Sequence, residues 1–364
     1  VRYAFHNGKG AVEKKKYFDE LNVFRALIIV WVVIGHSYDE ASGITDFLPN
    51  FMRVYAYSFH MSAFFLLSGL LFCTKIKRIK TFSDAANTAW DRFKRLMVPY
   101  FVYTVITYIL KFFFQDYANN QLSPHILTDV LLGINNPNGG LWFLHTLFVL
   151  SILAIFVCKV PLGISFIISA ALKICSLLFV IDIPVISNIC EYSAYFFAGL
   201  LLYKYYGAIS SRFSKFIKGI AGKISVSAVS IVMIVCSFLF VYLTRDMQND
   251  YFSVPITVFC IAAWYIASFA VCAFNLPKKA AMLIGNYGMD IYMLGYFVQI
   301  PIRVVLGSMF SAPYYLYTFL MFVFGLLAPI PISKYIIRRV PLFKALFLGD
   351  FPKKRMKNKN KKTV

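Results

Sequence analysis

The chain has 364 residues, of which 60% are hydrophobic, with a mean hydropathy of +0.68 and a net charge of +21. Soluble domains contain about 45–50% apolar residues, so apolar runs along the whole chain exclude a soluble globule and predict a polytopic membrane protein. The basic residues cluster between these runs and in the C-terminal tail, which favours lipid headgroups over nucleic acid as their partner.

The sequence gives no sign of a metal centre or a disulfide framework. The seven cysteines form no CxxC pair and lie mostly inside apolar runs, which is typical of core residues. The sequence also contains no HExxH pair and no glycine-rich phosphate loop. We therefore expect no metal ion in the protein.

Ten apolar segments predict an all-α integral membrane protein with about ten transmembrane helices, since one crossing needs about 20 residues. The predicted spans are 21–38, 54–73, 97–114, 141–158, 162–181, 191–206, 222–243, 251–274, 282–303 and 313–333. The sixth span is the shortest of them. We expect a basic N-terminal arm at 1–20, a transmembrane domain at 21–349 and a basic tail at 350–364.

The basic residues also predict how the spans are oriented. With the N-terminus in the cytoplasm, 31 of the 37 lysines and arginines lie in cytoplasmic segments. Only Arg53, Lys111, Arg245 and Arg303 then lie in segments on the other side, as the positive-inside rule requires. Both termini are therefore predicted to be cytoplasmic, and this needs an even number of spans.

Two basic segments are predicted to form amphipathic helices on the inner membrane surface. Residues 76–96 end in "DRFKRLMVPY", and residues 334–349 read "KYIIRRVPLFKALFLG". Both combine lysine and arginine with aromatic and aliphatic side chains, which is typical of interfacial helices.

The first span, "FRALIIVWVVIGHS", carries Arg25 and His36 at the two ends of an uncharged run. Their spacing of eleven residues is about 20° past three helical turns, so both side chains lie on one face, about 16 Å apart along the axis. Arginine suits a phosphate and histidine suits proton transfer, so the pair predicts a site for an elongated ligand such as acyl-coenzyme A. The alternative is that Arg25 snorkels to the inner headgroups and His36 caps the helix.

Four motifs make the sequence similar to the acyltransferase-3 family of integral membrane acyltransferases, over about residues 17 to 349. The first is the Arg25 and His36 pair, and the second is "SFHMSAFFLLSG", which contains Ser68 and Gly69. The third is an RxxR pair in the following basic loop, and the fourth is "GGLWFLHTLF". The arginines of the RxxR pair are Arg92 and Arg95.

The resemblance implies transfer of an acyl group, often acetyl, from cytoplasmic acyl-CoA to a hydroxyl of a cell-surface or envelope carbohydrate or glycolipid. It implies a catalytic role for His36, contact of the arginines with the donor, and a multi-pass protein of the bacterial plasma membrane. One departure is that Gly295 stands where family members often carry a late-helix histidine. Asp290 and Tyr292 lie in the same helix, and either could substitute for it.

Roles follow for the residues around these motifs. His36 is predicted to act as general base in direct transfer or, alternatively, as a covalent acyl carrier. Asp39, three residues further on, could orient the imidazole, and Glu40 is the alternative. Ser68 and Gly69 form a small-residue notch for the acyl-pantetheine arm or for plain helix packing.

A flexible outer loop, "NPNGG", is predicted to precede the acceptor side of the site. Trp142 could stack on a sugar ring or lie in the interfacial aromatic belt. His145 and His60 are candidates for contact with the substrate, although a structural role is the simpler interpretation of both. Lys173 lies inside a span, where it could pair with an acidic group that the sequence does not name or snorkel to the interface.

A small-solute transporter on the same scaffold is the main alternative function, because a tunnel with charged ends would also suit a polar solute. An accessory cell-wall protein without turnover is a third. Release of coenzyme A by the purified protein would separate an enzyme from both.

Overall fold

A computed structural model describes residues 18–38, 46–114, 125–245, 252–310 and 313–352. Within these ranges the chain is helical and contains no strand, so the prediction of an all-α integral membrane protein is confirmed. The helices are α1 (Asp19–Ser37), α2 (Phe47–Tyr57), α3 (His60–Ile76), α4 (Phe82–Arg92), α5 (Val98–Phe113), α6 (Ile126–Leu132), α7 (Trp142–Phe156), α8 (Leu162–Leu178), α9 (Pro184–Phe216), α10 (Ile220–Thr244), α11 (Ser253–Cys272), α12 (Asn275–Asn286), α13 (Gly288–Ile302), α14 (Tyr314–Leu327), α15 (Pro329–Ile332) and α16 (Pro341–Leu348). Short π-helical turns at Phe93–Met97, Arg303–Met309 and Ser333–Ile337 follow α4, α13 and α15.

Nine helical segments of the described chain are long and apolar enough to cross a bilayer. The tenth predicted span, 162–181, corresponds to α8, which has 17 residues and lies at the lower limit for a crossing. The predicted sixth span, 191–206, is too short, because α9 is a helix of 33 residues. Its polar C-terminal half ends the apolar run but not the helix.

Helices α1 and α13 pack in parallel. A Cβ atom at Gly288, where α13 begins, would lie 3.1 Å from Cδ of Arg25. Eleven residues further along α13, the Gln299 amide donates hydrogen bonds to the Val33 carbonyl (3.2 Å) and the Ser37 hydroxyl (3.0 Å), which lie eight and twelve residues after Arg25 in α1. If α8 crosses the bilayer, α13 is the ninth crossing and runs in the same direction as the first. The parallel packing therefore supports ten crossings.

The described parts of the predicted cytoplasmic segments meet on one side of the bundle, which we call the basic side. Glu20 at the start of α1 accepts hydrogen bonds from Tyr206 (2.6 Å) and Ser210 in the C-terminal half of α9. Asp19 pairs with Lys278 of α12, and this hydrogen bond raises the pKa of the lysine above its ordinary value. That the basic side faces the cytoplasm stays a prediction from the charge distribution.

The two segments predicted to be amphipathic are both helical. Helix α4 begins with a capping box between Thr81 and Asp84 and leaves Phe82 and Trp90 exposed. Helix α16 ends at Gly349, which has a φ of 60° and packs against the backbone of Lys94 and Arg95. The two segments therefore lie together on the basic side.

Residues 125–141 form a segment that packs into the bundle, and this corrects the expectation of a flexible outer loop. Hydroxyl and amide groups join it to α5, because Tyr100 donates to the Val130 carbonyl (2.7 Å) and Asn136 donates to the Thr104 hydroxyl (2.8 Å). Asn138 is only 3% exposed and accepts a hydrogen bond from the Gly140 amide. Irregular backbone is tolerated at such depth only where protein or a cavity surrounds it.

Candidate active site

A cavity of about 1320 Å³ lies between α1, α2, α5, α13 and the segment that leads into α7. It reaches the end of α5 and the turn after α13, on the side of the bundle opposite to the basic side. Three of the predicted site residues, His36, His60 and Trp142, line it. Its volume exceeds the roughly 300–1,000 Å³ of sites for drug-sized ligands, so it can hold a sugar together with an acyl group.

His36 lies in the last turn of α1 and presents its imidazole to the cavity. The ring is accessible from the cavity, although protein atoms surround it. Helix α2 folds back over this turn and places the Tyr57 hydroxyl 3.4 Å from Nδ1 of His36. At that distance the contact is weak, but it directs Nδ1 toward the tyrosine and leaves Nε2 available for a substrate. Asp39 and Glu40 lie outside the described residues.

His60 stands one turn beyond Tyr57 and lines the same cavity. Its Nδ1 lies 2.5 Å from the carbonyl of Ala56, and the side chain is 1% exposed. A carbonyl can only accept, so Nδ1 of His60 carries the proton. The Tyr57 ring contacts both imidazoles edge-on, with centroid distances of 6.0 Å to His36 and 5.1 Å to His60. Tyr57, which sequence reasoning missed, is thus the side chain that joins the two histidines.

The position in α13 where family members often carry a histidine also faces the cavity. Gly295 and Tyr292 both line it, and the Tyr292 hydroxyl donates a hydrogen bond to the Gly140 carbonyl. Asp290 does not line the cavity. It is buried and accepts hydrogen bonds from Ser333 and from Arg338, whose Nη2 lies 2.7 Å from Oδ2. Of the two possible substitutes, only Tyr292 is at the cavity.

Trp142 begins α7 and forms an aromatic part of the cavity wall. Its ring packs against Tyr192, at a centroid distance of 5.2 Å, and against Phe65, at 6.2 Å. A ring held in this way presents a rigid apolar face to the cavity.

His145 is one turn further along α7 and lies outside the cavity lining. It is buried and bonds to the backbone of Leu131, and a Cβ atom at Gly133 would lie only 2.5 Å from its Nδ1. Gly133 has a φ of 66°, so a side chain there would meet both backbone strain and this ring. The structure therefore places His145 as a support for the segment 125–141.

The predicted donor-binding arginines all lie toward the basic side, outside the cavity lining. Arg25 is half-buried, with Nη1 3.4 Å from Oδ1 of Asn22. Arg92 is half-buried over the Phe72 ring, at 3.8 Å from the centroid, whereas Arg95 is exposed. The wider π-helical turn that begins at Phe93 separates the two and places them in different environments.

Ser68 and Gly69 lie outside the cavity lining, and Gly69 is on the side of α3 that meets α9. A Cβ atom at Gly69 would lie 1.9 Å from the Phe196 carbonyl oxygen, and one at Gly199 would lie 2.0 Å from that of Leu66. These two glycines let the backbones of α3 and α9 approach each other directly. For Gly69 the structure therefore shows the helix-packing alternative.

Three cations from separate elements complete the cavity wall: Arg53 of α2, Lys111 of α5 and Arg303 of the turn after α13. No carboxylate lines the cavity in the part of the chain that the structure describes. Within the same ranges, no group of three or more His, Cys, Asp or Glu side chains is placed to hold a metal ion. The described site thus combines imidazole, phenol and cationic groups.

The fold and this cavity define a multi-pass membrane protein with a cavity inside the bundle that His36 and His60 line. Residues 18–336 match the acyltransferase-3 family, which is described as an acyltransferase domain. The chain belongs to this family, and the resemblance drawn from the four motifs is confirmed. A search of curated proteins and of solved structures finds no match. The protein is therefore a membrane acyltransferase, which takes an acyl group from a donor and passes it to an acceptor.

Proposed function

We propose that the protein transfers an acyl group, with acetyl as the proposed group, from cytoplasmic acyl-CoA to a hydroxyl of an envelope carbohydrate or glycolipid. The bacterial plasma membrane is its proposed location. The observation that carries the proposal is the position of His36 in a cavity remote from the basic side, with Arg25 eleven residues before it on the same helix. Donor phosphates and acceptor hydroxyl would thus approach from opposite sides.

Direct transfer is the mechanism that this geometry favours. Nε2 of His36 takes the proton from the acceptor hydroxyl, and the hydroxyl oxygen attacks the thioester carbonyl carbon. When the tetrahedral intermediate collapses, the carbon–sulfur bond breaks and the departing thiolate takes the proton from the imidazolium. Tyr57, next to Nδ1, orients the ring through both steps. Asp39 or Glu40 is proposed to assist it.

The donor would reach His36 along α1. Arg25, Arg92 and Arg95 would hold the phosphates on the basic side, and the pantetheine arm would cover the axial distance of about 16 Å to His36. Tyr292, which lines the cavity and donates a hydrogen bond to the Gly140 carbonyl, is one turn from Gly288, where α13 approaches Arg25. The arm is proposed to pass this contact on its way to His36.

The test is coenzyme A release and product mass for the purified protein in lipid nanodiscs, with acetyl-CoA and a carbohydrate acceptor. A general base contributes about 10²–10⁴-fold to turnover, so His36→Ala and His36→Gln should lose at least that lower factor while acyl-CoA still binds. His125→Gln is the matched control, because His125 is exposed and does not line the cavity.

Transfer by His36→Ala at the wild-type rate would refute the catalytic role of this residue. Solute uptake without any acylated product from the wild-type protein would instead favour the transporter.

A further inference from the structure

The buried aspartate of α13 has a partner that sequence reasoning did not name, Arg338 in the turn after α15. The guanidinium uses one edge for this contact, because Nε lies 3.3 Å from Oδ1 of Asp290 and Nη2 lies 2.7 Å from Oδ2. Nε also donates to the Ser333 hydroxyl (3.1 Å), and the guanidinium carbon lies over the Tyr287 ring, 4.5 Å from its centroid. A carboxylate, a hydroxyl and an aromatic ring therefore hold the guanidinium in one orientation.

The other edge of this guanidinium is left for a ligand. An arginine has five N–H donors in a planar fork, and the contacts above engage only the one on Nε and one on Nη2. The remaining donors on Nη1 and Nη2 point away from Asp290 and have no partner in the part of the chain that the structure describes. The side chain of Arg338 is 38% exposed, so this edge is accessible. Two adjacent N–H groups of this kind match the oxygens of a phosphate.

Arg338 lies close to Arg25, the proposed donor-binding residue of α1. Tyr287, over which the guanidinium of Arg338 lies, directly precedes Gly288, where a Cβ atom would be 3.1 Å from Cδ of Arg25. Both arginines thus approach the turn that joins α12 to α13. The segments predicted for this side carry 31 of the 37 lysines and arginines of the sequence, so the potential here favours an anion.

The ion pair also marks one end of the cavity. Ile291 follows Asp290 in α13 and lines the cavity that contains His36. A ligand whose anionic group binds Arg338 would therefore have its next atoms at the end of the cavity that is nearest to the basic side. A carboxylate within a membrane-spanning helix is costly, and here it holds a cation at this end of the cavity.

We infer that Arg338 binds the pyrophosphate of the acyl-CoA donor, next to the pantetheine arm. The inference rests on the proposed function and adds a donor-binding residue to it. The pyrophosphate of coenzyme A is joined directly to the arm, whereas the 3′-phosphate is on the ribose, further from the cavity. Asp290 lies behind the guanidinium and positions it before the donor arrives, so less side-chain entropy is lost on binding.

Arg338→Lys tests the fork, because lysine keeps the charge and can still pair with Asp290 but has no second edge. Labelled coenzyme A bound to the full chain in phosphatidylcholine nanodiscs is displaced with coenzyme A, 3′-dephospho-coenzyme A or pantetheine. We expect Arg338→Lys to weaken binding of the two nucleotides by at least about 10-fold and to leave binding of pantetheine unchanged.

Three results would overturn the inference. A loss for coenzyme A alone would assign Arg338 to the 3′-phosphate, and equal losses for all three ligands would show a structural role. Unchanged binding of all three would overturn the inference and leave the proposed donor intact. If the wild type binds no coenzyme A at all, the proposed donor fails as well.

Arg339→Lys is the matched control. Arg339 is the next residue, but its guanidinium lies over the Tyr335 ring, 5.4 Å from the centroid, and is not held by Asp290. This variant should bind all three ligands like the wild type. A loss equal to that of Arg338→Lys would assign the effect to the general charge of the basic side and overturn the inference.

A second variant separates binding from folding. Asp290→Asn with Arg338→Gln removes the fork together with the buried charge, so no unpaired carboxylate remains. It should unfold at a temperature close to that of the wild type and bind coenzyme A at least as weakly as Arg338→Lys. Wild-type affinity in this variant would contradict the assignment of the pyrophosphate to Arg338.

Phosphatidylglycerol in the nanodiscs distinguishes the donor from a lipid headgroup, whose phosphate has the same chemistry. We expect the ratio of the affinities of the wild type and Arg338→Lys for coenzyme A to be the same with and without this lipid. If the lipid weakens binding to the wild type but not to Arg338→Lys, Arg338 holds a headgroup and the inference fails.

Discussion

The buried carboxylate of Asp290 and the exposed guanidinium of Arg338 form an ion pair between α13 and the turn after α15, with Nη2 2.7 Å from Oδ2. The aspartate is 1% exposed and also accepts a hydrogen bond from Ser333. The one carboxylate of α13 is therefore satisfied within the protein, away from the cavity lining.

Arg338→Ala should destabilise the protein by about 1–3 kcal/mol, because it removes the cationic partner of the buried Asp290 carboxylate, which then keeps only Ser333. The double variant Asp290→Asn with Arg338→Ala should recover part of that loss, since the uncompensated charge is gone. Thermal unfolding in detergent measures both. If Asp290 instead replaced the late-helix histidine in catalysis, Asp290→Asn would lose activity at unchanged stability.

Gly69→Ala should lower the unfolding temperature and the yield of folded protein, because the new Cβ would lie 1.9 Å from the Phe196 carbonyl oxygen and push α3 from α9. Overpacking of this kind typically lowers the free energy of unfolding by about 1–3 kcal/mol, and we expect a loss near about 3 kcal/mol because the clash is with the backbone. Gly207→Ala in α9 is the control, because no atom lies within 4 Å of a Cβ at that position. It should be neutral or stabilise by up to about 1 kcal/mol. Equal effects of the two variants would contradict the direct contact of α3 with α9.

Arg25→Gln, Arg92→Gln and Arg95→Gln should each weaken binding of acyl-CoA. Loss of one charge-assisted contact costs about 1.5–3 kcal/mol, which corresponds to about 10- to 150-fold in affinity. The loss should be smaller for a truncated pantetheine thioester, which has no nucleotide phosphates. Arg212→Gln, an exposed arginine in the C-terminal half of α9, serves as control. Equal losses for both ligands would place these arginines in folding or lipid binding.

Labelling of single cysteines in a cysteine-free background tests the orientation. A cysteine at position 123 should react with an impermeant maleimide added outside cells, and one at position 215 should react only after permeabilisation. The reason is that residue 215 ends α9 on the basic side, which the charge distribution assigns to the cytoplasm. The reverse pattern would move the donor site to the outside.

Hydropathy predicted the membrane crossings because it averages over whole helices. It gave wrong boundaries where a polar segment continues a helix or packs inside the bundle. The polar composition of the C-terminal half of α9 predicts a loop, although the helix continues to Phe216. The stretch "NPNGG" has the composition of a loop, yet Asn136 and Asn138 hold it inside the bundle.

For the site, helical periodicity identified His36, whereas its neighbours depended on contacts between distant elements. Tyr57 reads as one more interfacial aromatic, and only the fold of α2 over α1 brings it to the imidazole. Arg53, Lys111 and Arg303 stood out in sequence only as exceptions to the charge rule. Their common position in one wall follows from three-dimensional packing, which a single sequence does not encode locally.

The short length of α8 has a consequence for the surrounding lipid. Its 17 residues span about 25 Å, less than the roughly 30 Å of a typical hydrocarbon core. Its neighbour α9 carries Glu191, which pairs with Lys173 between the two helices. The hydrophobic mismatch along this flank is relieved when the bilayer thins locally, and thinning brings the headgroups closer to the ion pair. Short-chain lipids should therefore gather beside α8. The stability of the folded enzyme then depends on the acyl-chain length of the lipids in its membrane.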